Sequence, residues 1–181
     1  DVKSGDIADT NEAYAKASFE VYGADAVTVN PYPRMTSLEP FFRQRDKMVF
    51  VWCRSSQHGP DDLQDVYVDV PHERLERLLG ADVDSVVERM GWSPGAAAME
   101  MYEYAALRAA REFNTFGNCG VAAGATHHAQ LRTVREIVGA MPMLVPGAVT
   151  QGGDLEKSVE ACANENGAGT VITLSRSIIF A

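Results

Sequence analysis

The segment 119–139, CGVAAGATHHAQLRTVREIVG, decides the fold class. Cys119 to Thr126 is a short run of small and apolar residues and suits a buried strand. From His127 to Gly139, Leu131, Val134, Ile137 and Val138 fall on one side of a helix, and Gly139 is a stop signal. The unit of strand, polar turn and helix repeats outward in both directions. Upstream, Asp9 to Tyr22 reads as a helix with Ala13, Ala17 and Val21 at helical spacing, ended by Gly23. Ala24 to Asn30 reads as a buried strand, followed by a loop broken by Pro31, Pro33 and Pro40, and Lys47 to Ser56 (KMVFVWCRSS) as a second strand. Downstream, Met141 to Ala148 is a strand whose Pro142 and Pro146 suit only its ends. Leu155 to Asn166 is then a helix, Thr170 to Leu174 the last strand, and SRSIIFA the start of another helix.

With residues 1–3 included, six candidate strands alternate with helices, the pattern of βαβ units and a parallel sheet. Polar or glycine-rich residues follow almost every strand: Asp1, Lys3 and Asp6; Asn30; Arg54, Ser55 and Ser56; Thr126; Gln151, Gly152 and Gly153; Ser175 and Arg176. A barrel gathers its site from the C-terminal ends of many strands, whereas an open doubly wound sheet concentrates it at one switch point. The distribution therefore predicts an α/β fold, a (β/α)8 TIM barrel present as an incomplete barrel of about six parallel strands. Its opening is expected between the first and last strands present. Residues 57–116 read as an elaboration between two strands. It has acidic turns at Asp61, Asp62, Asp65 and Asp69, and helices expected at His72–Leu79, Val83–Met90 and Ala96–Phe113.

The chain has 181 residues, 46% of them hydrophobic and 23% charged, which suits one globular domain and excludes a disordered tail. Its longest apolar pieces, such as Met48 to Cys53, are far too short for a membrane-spanning helix. A net charge of −9 argues against a general nucleic-acid binder. Three cysteines without a CxxC pair read as neither a disulfide framework nor a zinc site, so a reducing cytoplasm is the expected location. Cys53, Cys119 and Cys162 are expected as packing thiols.

Two constellations carry chemistry. On a strand, Asp1 and Lys3 share a face, and Gly5 lets the chain turn to bring Asp6 near. Two carboxylates flanking an ammonium keep it protonated, which suits a general acid or an electrostatic stabiliser; a surface ion pair would show the same spacing. The second is the pair of late loops, Pro146-Gly147 to Gln151-Gly152-Gly153-Asp154 and Ser175-Arg176. Their backbone N–H groups, the Gln151 amide and the Arg176 guanidinium suit a phosphate, which barrels often hold after their last two strands. Tight turns with one solvated arginine are the alternative. His127 and His128 point different ways on a helix, and the acidic run 61–69 lacks the glycine and terminal glutamate of an EF-hand loop, so neither is expected to bind metal.

DVKSGDIADT, at residues 1–10, resembles the DxKxxDIxxT signature of the orotidine 5′-phosphate decarboxylase family. The likeness continues in order through GADAVTVNPY, SLEPF, VWCRSSQHGPDDLQD, FGNCGVAAGAT, LVPGAVTQGGD and SRSIIFA, and looks closest to the branch with a long insertion after the fifth barrel strand. The resemblance implies conversion of orotidine 5′-monophosphate to UMP and carbon dioxide without metal or organic cofactor. Lys3 would stabilise and protonate the C6 carbanion, with Asp1 beside the departing carboxylate. Asp6, Ile7 and Thr10 would reach the partner's site in a homodimer. Ser56 would bond the pyrimidine ring, although Gln57-His58 follows it where Asn-Pro is commoner. Pro146, Gln151, Gly152, Gly153, Ser175 and Arg176 would line the substrate site, Gln151 and Arg176 on the phosphate; Val149 stands where the family more often has glycine. The resemblance also implies that the chain runs from the third to the eighth barrel strand, which leaves two strands and the final helix outside it. Two alternatives stay open: a magnesium-dependent sugar-phosphate decarboxylase or synthase of the same superfamily, and a catalytically incomplete piece.

Overall fold

In the computed structural model, which describes residues 2–56, 63–92, 96–148 and 153–180, one lateral row of paired residues crosses the main sheet. The row runs Ser4, Val29, Val51, Val121, Met143, Thr170, every pairing parallel. In chain order the described strands are β1 (Ala26–Val29), β2 (Met48–Arg54), β3 (Tyr67–Pro71), β4 (Ala96–Glu100), β5 (Cys119–Ala123), β6 (Met143–Pro146) and β7 (Thr170–Thr173). The helices are α1 (Ala8–Lys16, continued by a π-helical turn to Val21), α2 (Met35–Phe42), α3 (His72–Leu79), α4 (Val83–Met90), α5 (Met101–Arg108, continued by a π-helical turn to Phe113), α6 (His128–Val138), α7 (Leu155–Cys162) and α8 (Arg176–Ile179). The main sheet has the order β1-β2-β5-β6-β7, and β3 with β4 forms a separate antiparallel pair.

Side chains alternate across a strand, so one face of the main sheet is set by every second residue. Val27, Val29, Val49, Val51, Cys53, Val121, Ala123, Met143 and Val145 form that face and pack in one core with helical Phe19, Leu38, Phe41, Phe42, Leu131 and Val134. The opposite face carries Thr28, Phe50, Trp52, Ala122 and Leu144, and ends at β7 with Val171, which is 52% exposed. The sheet is thus an incomplete barrel whose two edges are the Ser4 segment and β7.

Several expectations change in detail. Of the strand expected at residues 1–3, the described residues show a single bridge at Ser4, so among them the main sheet has five strands and a bridge. Lys3 has φ of 47°, which breaks an extended run, and its N–H donates to Thr28 Oγ1 at 2.9 Å rather than into a ladder. Asp1 lies outside the described residues. The proline-broken loop after β1 contains α2, with Pro40 inside it. A helical proline costs about 3 kcal/mol. Leu38, Phe41 and Phe42 are fully buried, and each such burial contributes about 1.5–3 kcal/mol, which outweighs the proline. The expected helix 96–113 begins only at Met101, because Ala96–Glu100 pairs with β3. Glu103 accepts from the Glu100 N–H at 2.7 Å and closes a capping box that starts α5 there. Helix α7 ends at Cys162, four residues early, where the Asn164 side chain accepts from the Asn166 and Ala168 N–H groups and forms a turn instead.

The expected helices at 72–79 and 83–90 are present, and with β3 and β4 they bury Val70, Leu75, Leu79, Val83, Val86 and Met99 in a second cluster. Helix α5 joins the clusters, since Leu107 faces the second and Ala105, Ala106 and Ala109 the main core. Between them Glu112 accepts from Arg74 at 2.6 Å and from Arg108 at 2.9 Å. Arg108 also donates to the carbonyls of Pro31 and Pro33, which ties α5 to the loop after β1.

Candidate active site

The row from Ser4 to Thr170 divides every strand of the main sheet in the same place, which locates the residues singled out by chemistry. Asp6, Ser56, Thr126, Pro146, Gly153, Ser175 and Arg176 all follow the row on their own strands, at the C-terminal edge. Lys3 immediately precedes it. Gln151 and Gly152, with the acidic residues 61–62, the Gln57-His58 pair and Val149, lie outside the described residues.

Lys3 is held by two side chains, one in β1 and one just past its end. Thr28 Oγ1 accepts its N–H, and Asn30 Nδ2 donates to its carbonyl at 3.4 Å. Its Nζ stands 5.7 Å from the centroid of the Trp52 ring, within cation–π range. Asp6 is gripped by Asn11, which is fully buried in α1. Asn11 Oδ1 accepts the Asp6 N–H at 3.0 Å, while Nδ2 donates to the Asp6 carbonyl and to Ser37, each at 2.7 Å. The Asp6 carboxylate accepts the Ile7 N–H, and Ile7 is 66% exposed.

Ser55 and Ser56 leave the sheet just after a register shift between Trp52 and Arg54. Gln64 takes the Ser55 N–H on Oε1 and donates through Nε2 to the Ser55 hydroxyl at 3.2 Å. Arg54 is buried, ion-paired with Asp65, and stands over the Tyr102 ring at 5.3 Å. On the late loops, a Cβ at Gly153 would lie 2.6 Å from the Gly147 carbonyl oxygen and 2.9 Å from Ala148 Cα, so only glycine fits where these backbones meet. Asp154 caps α7 by accepting the Lys157 N–H, and that hydrogen bond holds its carboxyl below the usual carboxylate range. Arg176 is exposed and has no ion-pair partner among the described residues. A cavity of about 320 Å³ opens beside Trp52, between the loop after β1 and Tyr104 and Arg108 of α5; its walls do not include Lys3, Asp6, Ser56 or Arg176.

Sequence reading missed the residues that hold this edge in place. Asn11, Thr28 and Gln64 act on backbone groups 5 to 26 positions away, and Asn30, already noted as a polar residue at a strand's end, bonds the Lys3 carbonyl 27 positions away. Asn11 alone carried a local signal, a polar residue on the buried side of an otherwise ordinary helix. Cys53, Cys119 and Cys162 are buried, and burial raises each thiol pKa, that of Cys119 to about 12.

A family model described as orotidine 5′-phosphate decarboxylase / HUMPS family matches residues 1–181. The chain belongs to this family. Curated relatives named orotidine 5′-phosphate decarboxylase include those of Janthinobacterium sp. (strain Marseille), 39% identical over all of this chain and 56% of the relative, and Dechloromonas aromatica (strain RCB), 40% identical over all of this chain and 57% of the relative. The chain thus spans a little over half the length of the curated relatives it matches. Among solved structures, Leishmania donovani OMP decarboxylase superposes with a TM-score of 0.77 at 34% identity, covering 99% of this chain and 59% of that one. Leishmania donovani UMP synthase gives 0.79 at 36% identity, covering 99% of this chain and 34% of that one. Membership accounts for the parallel sheet. No described helix is long and apolar enough to cross a membrane.

Proposed function

We propose that this chain carries the working edge of an orotidine 5′-phosphate decarboxylase, which releases carbon dioxide from orotidine 5′-monophosphate and leaves UMP. One observation supports the reading: the described residues that match the family's motifs lie along one end of one sheet, three of them held by buried or half-buried side chains. In the reaction the bond from C6 to the carboxylate breaks and its electron pair stays on C6. The Lys3 ammonium meets that developing charge and then gives its proton to C6. Charge that appears only in the transition state is where a fixed cation lowers a barrier most. Asp1 lies beside the departing carboxylate, and Ser56 bonds the pyrimidine ring. Gln151, Gly152, Gly153, Ser175 and Arg176 hold the phosphate end, with Pro146 lining the site. Asp6, Ile7 and Thr10 belong to the neighbouring site of a homodimer, a role that fits the exposure of Ile7. No metal or organic cofactor takes part, and the enzyme works in the cytoplasm.

Calorimetric titration of the 181-residue chain with UMP in EDTA tests the reading, alongside assay of UMP formation from orotidine 5′-monophosphate. Binding that EDTA leaves intact, and that Arg176→Ala weakens about tenfold or more through loss of a charged phosphate contact, supports it. Activity that EDTA abolishes would favour the sugar-phosphate branch instead. The openness of the sheet favours a second reading, in which the chain binds the nucleotide without turning it over. UMP binding with no product formed identifies that case, and absence of both removes the decarboxylase reading.

A further inference from the structure

Three consecutive residues past the end of β5, Gly124, Ala125 and Thr126, touch both segments that the decarboxylase reading assigns to substrate. On one side the Gly124 N–H donates to the Arg54 carbonyl at 3.1 Å, and Thr126 Oγ1 donates to the Ser56 carbonyl at 3.2 Å. A Cβ at Gly124 would lie 2.4 Å from Ser56 Cα and 2.6 Å from the Ser55 carbonyl oxygen, so the two backbones are in direct contact. On the other side the Ala125 N–H donates to the Pro146 carbonyl at 2.8 Å, and its own carbonyl accepts from the buried Ser158 hydroxyl at 3.4 Å. Gly153 approaches the same residue, since a Cβ there would stand 3.1 Å from Ala125 Cβ.

Ser56 lies beyond the last paired residue of β2, so no ladder fixes its peptide plane. Arg54, Ser55 and Ser56 are instead held in turn by Gly124, Gln64 and Thr126. The Thr126 hydroxyl bonds a carbonyl of the chain rather than facing substrate, and a β-branched side chain has few rotamers to lose in doing so. We infer that Thr126 is a positioning residue for pyrimidine recognition: it orients Ser56 toward the ring while its backbone neighbours brace the phosphate side. The inference rests on the decarboxylase reading and deepens it.

The test compares UMP with ribose 5-phosphate, which keeps the phosphate and sugar but lacks the ring, as calorimetric ligands of the whole chain. Thr126→Val removes the hydroxyl at nearly constant shape, and Thr126→Ser keeps it. Loss of one positioning hydrogen bond is expected to weaken UMP about fivefold to tenfold in Thr126→Val. Ribose 5-phosphate should bind this variant as it binds the unaltered chain, and Thr126→Ser should restore UMP affinity. Unchanged UMP affinity in Thr126→Val overturns the inference, and so does an equal loss for both ligands, which marks a general structural role. Failure of the unaltered chain to bind UMP is a different result: it removes the decarboxylase reading and the inference with it.

Discussion

Asn11 shows how much of the site depends on single buried amides. It satisfies both backbone groups of Asp6 and reaches Ser37 from a fully buried position. Replacing it by alanine removes three partly buried hydrogen bonds, and Asn11→Ala is expected to cost about 2–3 kcal/mol in a urea unfolding curve. A cost below about 0.5 kcal/mol, the size of an ordinary surface change, would show that Asp6 is held by other means. Cys119 gives a prediction of opposite character. Its pKa rises from 9.0 to about 12 because the thiolate is costly to bury. The folded state therefore retains a proton that the unfolded chain releases, so the stabilisation is complete below pH 9 and is lost as pH rises toward 12. Within that window the loss is about 1.4 kcal/mol per pH unit for this thiol. Cys119→Ala should flatten the alkaline limb of a stability–pH curve by that slope; an unchanged limb would assign it to other groups.

At the scale of elements, the chain reads well wherever hydrophobic period and local signals agree. Helix α6 lies within one residue of its expected bounds because Leu131, Val134 and Val138 face the core and Gly139 ends it. Helices α3 and α4 have the expected limits, with Gly80 and Gly91 at positive φ just beyond them. The misreadings arise where tertiary contacts prevail: in α2, where buried phenylalanines offset Pro40, and in β4, where pairing with β3 overrides alanine's preference for helix. Arg135 is another long-range case. Its nearly buried guanidinium donates to the carbonyls of Cys162, Gly139, Met141 and Gly169, and so joins the end of α6 and of α7 to the entries of β6 and β7. These bonds lie at the end of the sheet opposite the candidate site. Arg135→Met is expected to lower unfolding stability by about 2–3 kcal/mol, since it removes four hydrogen bonds made by a nearly buried charged group, while the Cys162 and Gly169 carbonyls keep the Thr170 hydroxyl and the Met143 N–H as donors. It should leave UMP affinity unchanged at temperatures where the variant is folded; a parallel loss of affinity would mean that the two ends of the sheet are not independent.

For the whole molecule, both the direction of the sheet and its opening between the first and last strands were legible, and the form of the first edge was not. Strand alternation and the polar ends of strands point to a barrel rim, and the row from Ser4 to Thr170 places that rim along one edge. The strand expected around Lys3 contracts to a bridge because its backbone bonds go to Thr28 and Asn30, partners that composition does not reveal. The proposed dimer belongs to this scale as well. Sedimentation should give twice the 19.6 kDa of the chain, and Ile7→Glu should return it toward the single-chain mass; one chain per particle at every concentration would refute the shared site. If the Lys3 ammonium carries a metal-independent decarboxylation, UMP formation from orotidine 5′-monophosphate in EDTA, measured with and without Lys3→Ala, will show it. The unaltered chain should form UMP, and the rate should fall at least about a thousandfold in the variant, the loss expected for a group that meets transition-state charge. UMP formed at equal rates by both chains, formed only after magnesium is added, or not formed at all would contradict it.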